Sequence, residues 1–175
     1  QQMLAYAGRG RVVAETVDVS ALVRGTLSLL EVSVGKNVRL ELQLAPALPP
    51  VRADVTQLRQ IVMNLVLNAA DAITQAAGAG RGHILVSTGV RTAQPAELAR
   101  AINAPSLPGG SYVTLEVTDN GCGMSPETLA RIFEPFFTTK FSGRGLGLSA
   151  VLGIIQSHRG AMFVESRPGA GSTFR

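Results

Sequence analysis

The chain has few of the residues that most readily announce a chemistry or a location. It carries one cysteine (Cys122), no tryptophan, two histidines, and two lysines (Lys36 and Lys140) among 16 basic residues. One cysteine cannot form an internal disulfide, so a reducing, cytoplasmic setting is the default expectation, with a longer parent protein free to be membrane-anchored. No apolar run approaches the ~18 residues of a membrane span, and the first ten residues lack the basic start and long apolar stretch of a secretory signal. Aromatic residues make up 5% of the chain and arginines are spread from Arg9 to Arg175. Nucleic-acid binders instead tend to gather basic residues with aromatics on one face, so no nucleic-acid partner is expected. Neither histidine is followed by an acid, since Ile84 follows His83 and Arg159 follows His158; both are read as structural. The P-loop spacing GxxxxGK[ST] and a GxGxxG after a strand are also missing.

What is there is the composition of a folded domain. A chain of 175 residues, 46% apolar with net charge +4, is long enough for one sizeable core and too apolar for disorder. Residues 1–7 look like the last turns of a helix ended by Gly8 and Gly10. Residues 15–18 suit a short edge strand. An apolar stripe of Leu22, Val23, Leu27, Leu30 and Val34 makes a helix that Gly35 stops. Alternating Val38, Leu40, Leu42 and Leu44 predict a half-buried strand, which Pro46, Pro49 and Pro50 break. Asp54 caps the longest helical pattern, residues 55–75, and glycines 78, 80 and 82 end it. Residues 83–90 and 112–119 read as strands, separated by a Pro/Gly-rich insertion at 92–110 with one helical turn in it. Short helices follow at about 125–133 and 146–157, then strands at 161–166 and from Thr173. Strands mixed with amphipathic helices predict an α+β fold: a two-layer α/β sandwich in which a single mixed sheet is covered on one face by helices.

Three stretches carry chemistry. On the long helix, Gln57, Gln60, Asn64, Asn68, Asp71 and Gln75 form a second stripe at spacings of three and four. Asparagine is a poor helix former, so this stripe is either a plain polar face or a row of amide oxygens lining a cleft and suited to a hydrated Mg2+. Asp119, at the end of a strand before Asn-Gly, is either a turn residue or a buried acceptor for an exocyclic amine, the donor that distinguishes adenine from guanine. Gly121 and Gly123 would let the backbone approach such a base, and Cys122 between them reads as a packing residue. Gly143, Gly145 and Gly147 precede an apolar helix whose free N–H groups suit a polyphosphate, with Lys140 and Arg144 as phosphate contacts or as solvated charges. Phe133, Phe136, Phe137 and Phe141 anchor a lid or belong to the core, with core favoured for Phe133.

Together these blocks resemble the ATP-binding catalytic domain of sensor histidine kinases, in the superfamily that includes gyrase B, Hsp90 and MutL. QIVMNLVLNAADA (60–72) looks like the N box and DNGCGM (119–124) the first glycine box. FEPFF (133–137) resembles the F box, GRGLGL (143–148) the second glycine box, and GAGSTF (169–174) the last glycine-containing segment. NAADA, with the later TTK and GRGLGL, is similar to a nitrogen-regulator-like and hybrid-type branch. The resemblance implies the Bergerat ATP fold over residues 11–175, with residues 1–10 ending a dimerisation hairpin. It implies Mg2+ on Asn68, Asn64 near the phosphates, Asp119 on the adenine amine, Gly121 and Gly123 beside the base, and residues 134–145 as an ATP lid. The rest of the implied ATP site is Asp71, Lys140, Gly143, Arg144, Gly145, Leu146, Gly147, Leu148 and Thr173, the last joining the adenine network through water.

Two departures from the family pattern refine the expectation. ATPase branches place a glutamate four residues before the magnesium asparagine to activate water; here that residue is Asn64, and an amide cannot take a proton, which favours a kinase over a hydrolase. Many histidine kinases carry a basic residue three places after that asparagine, where this chain has Asp71, leaving Lys140 or Arg144 to meet the phosphates. The expected partners are ATP, an upstream dimerisation and phosphoacceptor hairpin, and a response-regulator receiver domain. With the acceptor histidine upstream, this chain is expected to bind ATP without labelling itself. The competing readings are an anti-sigma-type protein serine kinase and a non-catalytic nucleotide-sensing scaffold.

Overall fold

Residues 14–30, 33–35, 37–76, 81–102, 106–140 and 144–175 are described by the structure, a computed structural model. The expectations for residues 1–10, Gly78, Gly80, Phe141 and Gly143 lie outside the described residues. In chain order the elements are β1 (Glu15–Val17), α1 (Val19–Leu30), β2 (Val38–Leu44), β3 (Val51–Ala53), α2 (Val55–Gln75) and β4 (Gly82–Ala93). They continue with α3 (Pro95–Leu98), β5 (Gly110–Asp119), α4 (Pro126–Arg131), α5 (Gly147–Ser157), β6 (Val164–Ser166) and β7 (Ser172–Phe174). Among the described residues no helix is long and apolar enough to cross a membrane.

The main sheet runs β2-β4-β5-β7-β6; β2 lies parallel to β4 and the other neighbours are antiparallel. It is the expected mixed sheet, and its layering follows from the strand period of two. Ile84 and Val86 of β4, Val117 of β5 and Phe174 of β7 are buried against Val23, Leu27, Ile61, Val62, Leu65, Val66 and Val151 of α1, α2 and α5. Helix α2 lies at the centre of that layer, packing on α1, α5, β4 and β5. Its buried face includes Val66 and Ala70, and Leu58 is only partly buried.

A single sheet was expected, and there are two. Residues 51–53, to which no element was assigned, form β3 and pair antiparallel with β1 in a separate two-stranded ribbon. A three-residue strand offers too little alternation to recognise, and its partner lies more than thirty residues earlier. The insertion is partly absorbed into the β4–β5 hairpin, which runs to Ala93 and resumes at Gly110. Its remaining turn, α3, buries Leu98 with Ala93 and Leu107 in a small cluster of their own.

Both histidines hold structural positions. His158 Nε2 accepts the Asp54 N–H at 3.0 Å and Nδ1 lies 2.8 Å from the Ile154 carbonyl oxygen, tying the end of α5 to the N-cap of α2. Since Nε2 is the acceptor, the neutral ring carries its proton on Nδ1 and donates it to Ile154. His83 Nε2 lies 3.2 Å from Glu41 Oε2 across the β2–β4 pair.

Candidate functional site

Strand parity aims Asp119 inward. Val117 faces the helices and is buried, so Asp119, two residues on, shares that face and is only 5% exposed. Its Oδ1 accepts the Gly121 N–H at 2.8 Å. Burial raises its carboxyl above the ordinary aspartate range, because the charged form is desolvated; the N–H groups of Gly121 and Ser172 offset part of that cost. The neighbouring glycines are packed tightly against protein backbone, and Gly123 also lines the cavity. A Cβ at Gly121 would lie 2.6 Å from the Ala72 carbonyl carbon, and the Cys122 N–H donates to the Ala72 oxygen at 3.0 Å. Gly123 has φ +63, and a Cβ there would overlap the Arg167 carbonyl oxygen. These contacts press the turn after β5 against α2 on one side and the β6–β7 turn on the other.

The third wall comes from α5 and the segment before it. Leu146 sits at the N-cap of α5 without a side-chain cap, so the first turn of the helix, at Gly147 and Leu148, carries uncapped N–H donors toward the cavity. The start of α5 abuts the amide stripe of α2: a Cβ on Gly147 would lie 3.5 Å from Asn64 Oδ1 and 3.9 Å from Asn68 Nδ2. The expected lid is pinned where it begins and ends. The Phe136 N–H donates to the Gly145 oxygen at 2.9 Å, and both residues have positive φ, 68° and 65°. A left-handed phenylalanine is strained, and Phe136 is also 75% exposed. Phe133 packs against the core as expected, while Phe137 packs there and also lines the cavity beneath the Arg131 guanidinium.

These walls enclose a cavity of ≈520 Å3, within the range of small-molecule sites. It brings together Asn68, Asp71, Asp119, Gly123, Lys140, Arg144, Gly145, Leu146, Gly147 and Leu148 of the expected set. Asn64 stands just outside, beside Gly147, and Gly121 lies behind Asp119. Lys140 reaches across, its Nζ 2.9 Å from Asn68 Oδ1 and 2.6 Å from Asp71 Oδ2.

Thr173 is a correction. Its hydroxyl pairs with that of Thr118 at 3.0 Å, away from the cavity, while Ser172 lines it opposite Asp119. Period-two alternation along β7 leaves room for only one of the two on the inward face, and Gly171, φ +79 and closely packed on the Asp119 carbonyl, sets which. The sequence reading missed Met124 and Ile132 in the lining, whereas Phe137 and Thr138 fall within the expected lid, residues 134–145. Met124 lay in plain view within the first glycine box; Ile132 carried no signal. A second cavity of ≈520 Å3 lies between α1, α2 and the outer part of the β4–β5 hairpin and contains none of the expected residues.

Residues 53–175 match the family of histidine kinase-, DNA gyrase B- and HSP90-like ATPases. The chain is 37% identical over its whole length to the sensor kinase CckA of Brucella abortus, of which it spans 18%. It is 34% identical over 91% of its length to the sensory histidine kinase/phosphatase NtrB of Rhizobium meliloti, spanning 40% of that protein. In fold it resembles the nucleotide-free catalytic domain of the histidine kinase ThkA with TM-score 0.68 and 28% identity, covering 92% of this chain and 91% of that one.

Proposed function

Because the chain belongs to the family of histidine kinase-, DNA gyrase B- and HSP90-like ATPases, we propose that it is the ATP-binding kinase domain of a sensor histidine kinase of the nitrogen-regulator-like or hybrid-type branch. Residues 11–175 form that domain and residues 1–10 belong to the hairpin that precedes it. The single observation that carries the reading is the buried Asp119 carboxylate in the cavity, fixed through one oxygen by the Gly121 N–H. A desolvated acceptor of this kind takes the adenine amino group and rejects guanine, whose oxygen at that position offers no proton.

The polyphosphate then runs toward the uncapped first turn of α5, whose N–H groups and positive dipole end receive anionic oxygens. Arg144 and Lys140 offset further charge. The donor set fits Mg2+: Asn68 Oδ1 and Asp71 Oδ2, both hard oxygens, already converge on one cation, the Lys140 ammonium. Asn68 is the residue that would hold the metal, which when bound supplies charge neutralisation between the phosphates. Asn64 stands beside it, and an amide at that position cannot accept a proton from an attacking water, which favours transfer to another acceptor over hydrolysis.

That acceptor is a histidine on the dimerisation hairpin, with an adjacent acid as base, and the phosphoryl group passes on to a response-regulator aspartate. Both histidines of the present chain are committed to structural hydrogen bonds. Calorimetry of the chain with Mg-ATP and Mg-GTP tests the first half: ATP is expected to bind and GTP not, and equal binding of the two would sink the adenine assignment. For the second half, γ-labelled ATP should label the full-length kinase on a histidine outside residues 1–175.

A further inference from the structure

Lysine side chains on a surface segment normally extend into water, because holding one still costs rotamer entropy. Lys140 does the opposite. Its backbone N–H is held by Thr138 Oγ1 at 3.0 Å, and its side chain, 27% exposed, folds back over the cavity to reach two residues of α2 one turn apart. The contacts are unequal. Asp71 supplies a charge-assisted pair at 2.6 Å, and Asn68 supplies the neutral amide oxygen at 2.9 Å. Asp71 is the stronger partner, and Asn68 Oδ1 lies where the Asp71 carboxylate brings the ammonium.

From this we propose that Asp71 is a positioning residue: in the nucleotide-free chain it parks the Lys140 ammonium on the Asn68 oxygen, so that Mg2+ gains Asn68 only by displacing a tethered cation. The inference rests on the ATP reading above and adds how that site is regulated. Two cations cannot share one amide oxygen at contact distance, since their repulsion in a partly enclosed cavity outweighs what a neutral oxygen offers either of them. Metal entry therefore releases Lys140, and the freed ammonium turns to the phosphates that arrive with the metal. The acid at position 71, where many histidine kinases carry a basic residue, thus exchanges a cation fixed on the helix for one delivered by the lid. Phosphate recognition becomes conditional on the lid's position.

Two measurements test this. Trypsin acting on the nucleotide-free chain is expected to cut after Lys140 about fivefold faster in Asp71→Asn than in the unaltered chain, the gain expected on breaking a partly exposed ion pair. Cleavage after Arg100 serves as the internal reference, and equal rates after Lys140 would overturn the proposal. This arm needs no nucleotide, so it reads out even if the ATP assignment fails. In the second arm, Mg2+ is titrated at ATP concentrations that saturate each variant in excess metal. Lys140→Met is expected to lower the half-saturating Mg2+ about fivefold in the native background and by less than about twofold in the Asp71→Asn background, because the competitor is then already loosened. Equal gains in both backgrounds would mean a general charge effect and would overturn the positioning role while leaving ATP binding intact.

Discussion

Asp119 carries both the proposed contact to adenine and the cost of burying a carboxyl group. Its carboxyl is raised by burial, so its folded pKa lies above its unfolded value, and the stability it contributes is present at acid pH and lost as pH rises through the folded value. Asp119→Asn removes that cost. The variant is expected to melt at or above the temperature of the unaltered chain, by a margin that widens as pH rises through the acid range and then levels off. Its ATP affinity should nevertheless fall by about 30- to 100-fold, as when a buried acceptor is replaced by a mismatched group; thermal scans across pH alongside calorimetry would show both. The neighbouring strand offers a sharper contrast. Ser172→Ala is expected to weaken ATP binding several-fold, whereas Thr173→Val leaves binding within about twofold and costs roughly 1 kcal/mol of stability by stranding the Thr118 hydroxyl. Equal binding losses in both would contradict the inward face assigned to Ser172.

Among the elements, α2 does double service: one face is core and the other presents Asn64, Asn68 and Asp71. Its start is fixed twice, by the Asp54 side chain accepting the Gln57 N–H at 3.0 Å and by His158 accepting the Asp54 N–H. His158→Ala leaves that N–H without its partner and separates the end of α5 from the start of α2. A loss of about 1–3 kcal/mol in urea denaturation is expected, with ATP affinity little changed because the cavity lies at the opposite ends of these helices. A large affinity loss would mean that α5 had shifted along α2. The α2 stripe was legible because a 21-residue helix repeats its pattern six times over. β3 was not, because three residues do not establish a period.

Taken whole, the described residues form a helical layer on the five-stranded sheet with a separate β1–β3 ribbon, and the cavity is lined from both the helices and the main sheet. Ligand that bridges the layers stabilises them together. At a hundredfold excess over its dissociation constant, Mg-ATP is expected to add about 2.7 kcal/mol, or roughly 5–10 °C in the melting midpoint for a domain of this size. Asp119→Asn, with its 30- to 100-fold weaker binding, should cut that gain to about 0.4–0.9 kcal/mol at the same ligand concentration without broadening the transition. A shift that survived undiminished in this variant would move the adenine pocket elsewhere in the cavity.

Local pattern was enough for the long elements, the mixed two-layer architecture and most of the cavity wall, since hydrophobic period, caps and glycine spacing act over a few residues and can be read there. Pattern alone left Asp119 and Asn68 between a site and a plain turn or polar face, and it was the order of the motif blocks that singled them out. What needed the tertiary structure were relations between distant segments: the β1–β3 ribbon, the choice of Ser172 over Thr173, and glycines 121 and 123 packing against backbone. The partner of Lys140 belongs with them, because no spacing rule links positions 71 and 140. Only the folded chain brings that ammonium to Asp71 and Asn68.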